Sequence, residues 1–181
     1  MTVWSATVGN VLDCDADALI CSANPSLNLS GGVGGELLLR YGQSMQEFLR
    51  DWLKRSGIPC VAPGTVVAAP GGNSPYRVVI HAVAIDAFYD TSADVIAKAY
   101  SAAFGEAARI GCESIASACL ACGYGRASPG VFCAGIRSQV RSQLVGVSRV
   151  EFRSTNSDII SAIRSEIRTT KSEPRNAADS Q

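Results

Sequence analysis

The stretch NPSLNLSGGVGGELLLRYG, running from Asn24 to Gly42, limits what this chain can fold into more than any other. An Asn-Pro turn closes the apolar run DALICSA, and four glycines then crowd around Val33 directly before a leucine-rich run with helical spacing. A strand-to-helix turn needs one glycine. Four within five residues strip Cβ atoms from a whole loop, so its N–H groups can approach a ligand closely while the helix N-terminus adds partial positive charge. A strand, glycine loop and helix in this order form an anion site, most often for phosphate. The competing reading is an ordinary turn.

The rest of the chain alternates strand and helix signals. Thr2 to Val8 and Asp17 to Ala23 are short apolar runs closed by Gly9-Asn10 and Asn24-Pro25. From Gly35 the apolar positions follow a helical period up to Gly57 and Pro59, with Gly42 splitting the run into two helices. TVVAAP after Gly64 and RVVIHAVAI from Arg77 read as a hairpin-like pair of strands. Asp94 to Ile110 reads as a helix stopped by Gly111, and SIASACLA from Ser114 as a strand buried on both faces. Ser128 caps a helix reaching about Leu144, RVEFRS is a last strand, and Asn156 or Ser157 caps a final helix. This order predicts one domain over residues 1–170, an α/β fold built as a three-layer α/β/α sandwich on a mixed, mostly parallel sheet. The tail 171–181, KSEPRNAADSQ, lacks an apolar period and is expected to be disordered.

Sixteen basic residues balance sixteen acidic ones. With no overall field to gather polyanions, nucleic acid is disfavoured as a partner, and any anion is held locally. No apolar run approaches the ~20 residues of a membrane span, and the opening MTVWSATVGNV does not read as a secretory signal. Seven cysteines scattered through apolar segments suit free thiols in a reducing compartment. The expectation is a cytoplasmic protein.

In sheets of this kind ligands sit beyond the carboxyl ends of strands. DALICSA leads into the first glycine loop, and SIASACLA leads into a second, CGYGRASPG, again before a helix. Opposed across a cleft, the two loops would clamp a pyrophosphate. Two standard nucleotide motifs fail: Leu37 stands where a dinucleotide fingerprint needs its third glycine, and no Gly-Lys-Ser/Thr occurs.

The chain resembles the macro domain family, which binds ADP-ribose. The likeness rests on Gly9-Asn10-Val11, on DALICSANPSLNLSGGVGGELL, on VIHAVA and on ACGYG, and it covers Val8 to about Ile167. The resemblance implies that Asn10 and Val11 meet adenine and that Asn24 bonds the distal ribose. Gly31, Gly32, Val33 and Gly34 would line that ribose and the diphosphate. Ala121, Cys122, Gly123, Tyr124 and Gly125 would close over the diphosphate, with either Tyr124 or Gly125 at the family's aromatic position.

Three positions depart from the family pattern. Asn10 replaces the usual acid, so Asn10→Asp is expected to tighten adenine binding. Gly34 and Leu38 replace the Asp and His of one hydrolase branch, and Cys122 replaces a small hydroxyl residue. In a phosphate nest near Arg126, Cys122 is expected to be the most reactive thiol.

His81 lies in an apolar strand and is expected to be buried and hydrogen-bonded rather than catalytic. Cys119 and Cys122 have no second pair for a structural zinc, and no metal or cofactor is expected. Asp86 and Asp90 read as solvated loop acids. Three functions stay open. They are a module binding free or protein-attached ADP-ribose, a hydrolase acting on ADP-ribosylated proteins, O-acetyl-ADP-ribose or ADP-ribose 1''-phosphate with Asn24 and Gly32 as its catalytic candidates, and an RNA-binding domain.

Overall fold

A computed structural model describes residues 1–172. Six strands, β1 (Val3–Val8), β2 (Ala18–Ala23), β3 (Val66–Pro70), β4 (Val78–Val83), β5 (Ser114–Ala118) and β6 (Arg149–Ser154), form one sheet in the order β1-β6-β5-β2-β4-β3. Only the β3–β4 hairpin is antiparallel, with Val66 opposite Ala82 and Pro70 opposite Val78. Pro70 ends the edge strand, where its missing N–H costs no ladder bond.

Strand alternation assigns each face its own core. From β2 and β4, Ala18, Ile20, Ile80 and Ala82 point to α3 (Ala93–Ile110), α4 (Pro129–Arg141) and α5 (Ser157–Ser172). Leu19, Cys21, Val79 and Val83 point to α1 (Gly32–Tyr41) and α2 (Ser44–Ser56). The expected sandwich and mixed sheet are present. Trp4, Tyr100, Phe104, Phe132 and Phe152 form a ring cluster in the larger layer.

Two boundaries differ from expectation. Strand β5 stops at Ala118 rather than running through SIASACLA. Its bridges to β2 end at Ser117, and the buried Tyr100 hydroxyl then donates to Ala118 O (2.7 Å) and accepts from Leu120 N (3.3 Å). Helix α1 starts at Gly32, not Gly35, so the glycines form its first turn. Of the tail 171–181, the first two residues close α5, and the others lie outside the described residues. No described helix is long and apolar enough to cross a membrane.

Candidate functional site

Strands β2 and β5 are neighbours, yet the chain leaving β2 enters α1 on one face and the chain leaving β5 enters α4 on the other. Diverging connections at parallel strand ends open a crevice. A cavity of about 560 Å³ occupies this place, within the size range of small-molecule sites. All the residues singled out from the sequence line it: Asn10, Val11 and Asn24, the segment 31–34, and the segment 121–125.

Gly31 is the extended N-cap of α1 and supplies no side-chain cap. The first N–H groups of the helix therefore have no partner within it. Gly32 has φ of +55°, where glycine is favoured. Two amides hold the preceding loop. Asn24 donates from Nδ2 to Asn28 O (2.8 Å) and accepts at Oδ1 from Asn28 N (3.1 Å). Gln46, buried on α2, donates from Nε2 to Leu27 O (3.0 Å) and accepts at Oε1 from Leu29 N (2.7 Å). Asn24 thus spends one amide proton and one acceptor lone pair on its own turn, and one of each remains for a ligand.

The second loop turns through left-handed backbone at Ala121 (φ 61°) and Arg126 (φ 52°). Ala127 N donates to Ala121 O (3.0 Å) and Arg126 N to Gly123 O (3.1 Å), while the N–H groups of Gly123, Tyr124 and Gly125 take no part in these bonds. Ser128 Oγ caps α4 by accepting from Val131 N (3.3 Å).

Gly125 packs inward: a Cβ there would lie 2.5 Å from Ile85 Cγ2. Tyr124 instead reaches the opposite loop, its hydroxyl 2.5 Å from where a Gly31 Cβ would sit. Of the two, it is Tyr124 that spans the cleft. Tyr89 lies beside it, ring centroids 6.3 Å apart. Asp86 is no idle solvated acid, because its Oδ1 accepts from Phe88 N (2.8 Å) and Asp90 N (2.9 Å) and so shapes the Tyr89 loop.

Asn10 caps a 3-10 turn over Val11–Asp13, accepting at Oδ1 from Leu12 N (3.0 Å). Its Nδ2 donates to Glu36 Oε1 (2.6 Å). Glu36 is held in turn by Arg40, which also pairs with Asp13. An Asp at position 10 would set two carboxylates together, so the expected gain from Asn10→Asp reverses sign. The buried Tyr76 hydroxyl donates to Val11 O (3.1 Å) and fixes this turn from below.

Two further expectations change. Burial, with a smaller contribution from nearby Cys133, pushes the Cys122 thiol up to about 12, so the nest does not create a thiolate. His81 is buried on β4 but neither ring nitrogen has a hydrogen-bond partner, and burial pushes its pKa down to about 4. It does not line the cavity. All seven cysteines are free, and among the described residues no group of three or more His, Cys, Asp or Glu is arranged to hold a metal.

The residues missed in the sequence are Glu36, Gln46, Tyr89 and the segment 153–156, which also meets the cavity except for Gln46 behind the loop. Only Gln46 left a trace, as an amide at a buried helical position.

The fold and cleft define an α/β domain with a site at the carboxyl edge of a mostly parallel sheet, between two glycine-rich loops. The macro domain family matches residues 20–131, and the chain belongs to that family. It is 31% identical over 129 residues to a macro domain-containing protein of Vibrio parahaemolyticus, covering 69% of this chain and 74% of that protein. It is 36% identical over 76 residues to an O-acetyl-ADP-ribose deacetylase of an Enterobacter species, covering 42% of this chain and 41% of that one. An Oceanobacillus iheyensis macrodomain variant solved with ADPR superposes with a TM-score of 0.82 at 16% identity, covering 93% of both chains. The chain spans only 31% to 40% of the length of other curated relatives that it matches.

Proposed function

We propose that this protein binds ADP-ribose, free or as a terminal ADP-ribosyl group, in the cleft between residues 31–34 and 121–125. The observation that carries this reading is the approach of Tyr124 to Gly31, which brings two loops rich in free N–H groups to opposite sides of one cavity. Preorganised backbone donors suit a diphosphate without needing a basic side chain. Solved relatives crystallised with ADPR, ADP or ADP-ribose support the choice of ligand. Its macromolecular partners are ADP-ribosylated proteins, and its compartment is the reducing cytoplasm.

The Enterobacter relative favours a second reading, hydrolysis of O-acetyl-ADP-ribose or of protein-linked ADP-ribose. Asn24 and Gly32 would then fix the distal ribose while a substrate phosphate orients water. A Cβ at Gly34 would lie 3.0 Å from Leu29 Cδ2, so the loop has no ready space for an added acid. Calorimetry with ADP-ribose, followed by incubation with mono-ADP-ribosylated protein and with O-acetyl-ADP-ribose, separates the readings. Binding without turnover supports the module, release of product supports the hydrolase, and absence of binding at millimolar ligand overturns both.

A further inference from the structure

We propose that Glu36, rather than Asn10, reads the base of the bound nucleotide, selecting a base that carries an exocyclic amine. The inference rests on the ADP-ribose reading and adds the residue that sets its base specificity. The loop N–H groups are suited to phosphates, but they are donors and cannot recognise an amine. An amine needs an acceptor, and the cleft offers few that are uncommitted.

Asn10 is poorly placed for that task. Its Oδ1 takes the Leu12 N–H and its Nδ2 is used on Glu36, so the amide is oriented by the protein on both sides. Glu36 is oriented just as firmly. Its Oε1 accepts from Asn10 Nδ2 (2.6 Å), Arg40 Nε (2.9 Å) and Arg40 Nη2 (2.6 Å). None of these bonds uses Oε2.

Arg40 is braced from its far side by Asp13 Oδ1 at 2.7 Å, which keeps the carboxylate from swinging away. Glu36 is also the only carboxylate among the described residues lining the cavity, and the buried Val11 beside it supplies apolar surface for a base. An ionised carboxylate accepts and never donates. It therefore favours an amino group and repels a keto oxygen in the same place.

Calorimetry with ADP-ribose and with its counterpart carrying hypoxanthine, in which the amine is replaced by a keto oxygen, tests this directly. The wild-type protein is expected to prefer ADP-ribose by about tenfold or more, the scale of one charge-assisted hydrogen bond. In Glu36→Gln the side-chain oxygen must still serve Asn10 and Arg40, which turns its NH2 outward. The preference should then vanish or reverse in favour of hypoxanthine.

A wild-type protein that binds both nucleotides equally, or a Glu36→Gln variant that keeps the full preference, overturns the assignment to Glu36 while leaving the ADP-ribose reading intact. Binding of neither nucleotide overturns both. Since the wild-type comparison needs no variant, the test stands even where Glu36→Gln fails to fold.

Discussion

The phenol oxygen of Tyr124 lies 2.5 Å from the position that a Cβ on Gly31 would occupy, so the two loops of the cleft meet at a residue that must lack a side chain. Gly31 has an extended backbone that any residue adopts, and the requirement for glycine is one of space alone.

Gly31→Ala is expected to displace the Tyr124 ring and to weaken ADP-ribose, with a stability change within about 0.5 kcal/mol because that ring is largely exposed. In a Tyr124→Ala background the same substitution should have little further effect on binding. A double-mutant cycle read by calorimetry would show a coupling of about 1 kcal/mol, and additive losses would count against the contact.

Gln46→Leu removes the amide that serves Leu27 O and Leu29 N and leaves both buried groups unpaired. The expected cost is about 1–3 kcal/mol of stability, seen as a lower denaturation midpoint. ADP-ribose affinity should fall as well, although Gln46 does not line the cavity. Unchanged affinity would show that the glycine loop holds its shape without this brace.

Protonating His81 requires charging a fully buried ring with no partner. Its folded-state pKa of about 4 lies below the unfolded value near 6.5, so its neutral form contributes full stability above pH 6.5 and that contribution is lost as pH falls towards 4. The slope approaches ~1.4 kcal/mol per pH unit, about 3 kcal/mol over the window. Urea unfolding between pH 7.5 and 4 should show this slope, and His81→Leu should flatten it.

Cys60 is the exposed thiol, whereas Cys122 is partly buried with its pKa pushed up to about 12. Iodoacetamide at pH 7.5 should therefore label Cys60 first and Cys122 slowly, as mapped by mass spectrometry. Cys122 labelling ahead of Cys60 would mean that the second loop opens readily in solution.

The mixed sheet was legible because each strand carries its own turn signal, and the two loops because glycine clusters leave strand ends in front of helices. Helix caps followed the same local logic: Ser128 and Asn156 bond the N–H groups that start α4 and α5. What was not legible depends on residues distant in sequence. Glu36 meets Asn10 across 26 positions, Gln46 meets Leu29 across 17, and Tyr124 meets Gly31 across the cleft. The end of β5 was missed for the same reason, since Tyr100 on α3 ends it through a hydroxyl that no local pattern reveals. Cys122 shows a related limit: neighbours in sequence suggested a thiolate, but desolvation outweighs them.

The parting of the chain after β2 and β5 gives each loop a separate foundation, one in the α1–α2 layer and the other in the α3–α5 layer. A ligand gripping both loops acts as a staple across the seam between those layers. Occupancy should then slow amide exchange in both helical layers together, reaching α2 and α3, which contribute no residue to the cavity. By the same reciprocity, a packing defect beneath either layer changes the gape of the cleft, making ligand affinity a gauge of how the two halves of the core sit on their common sheet.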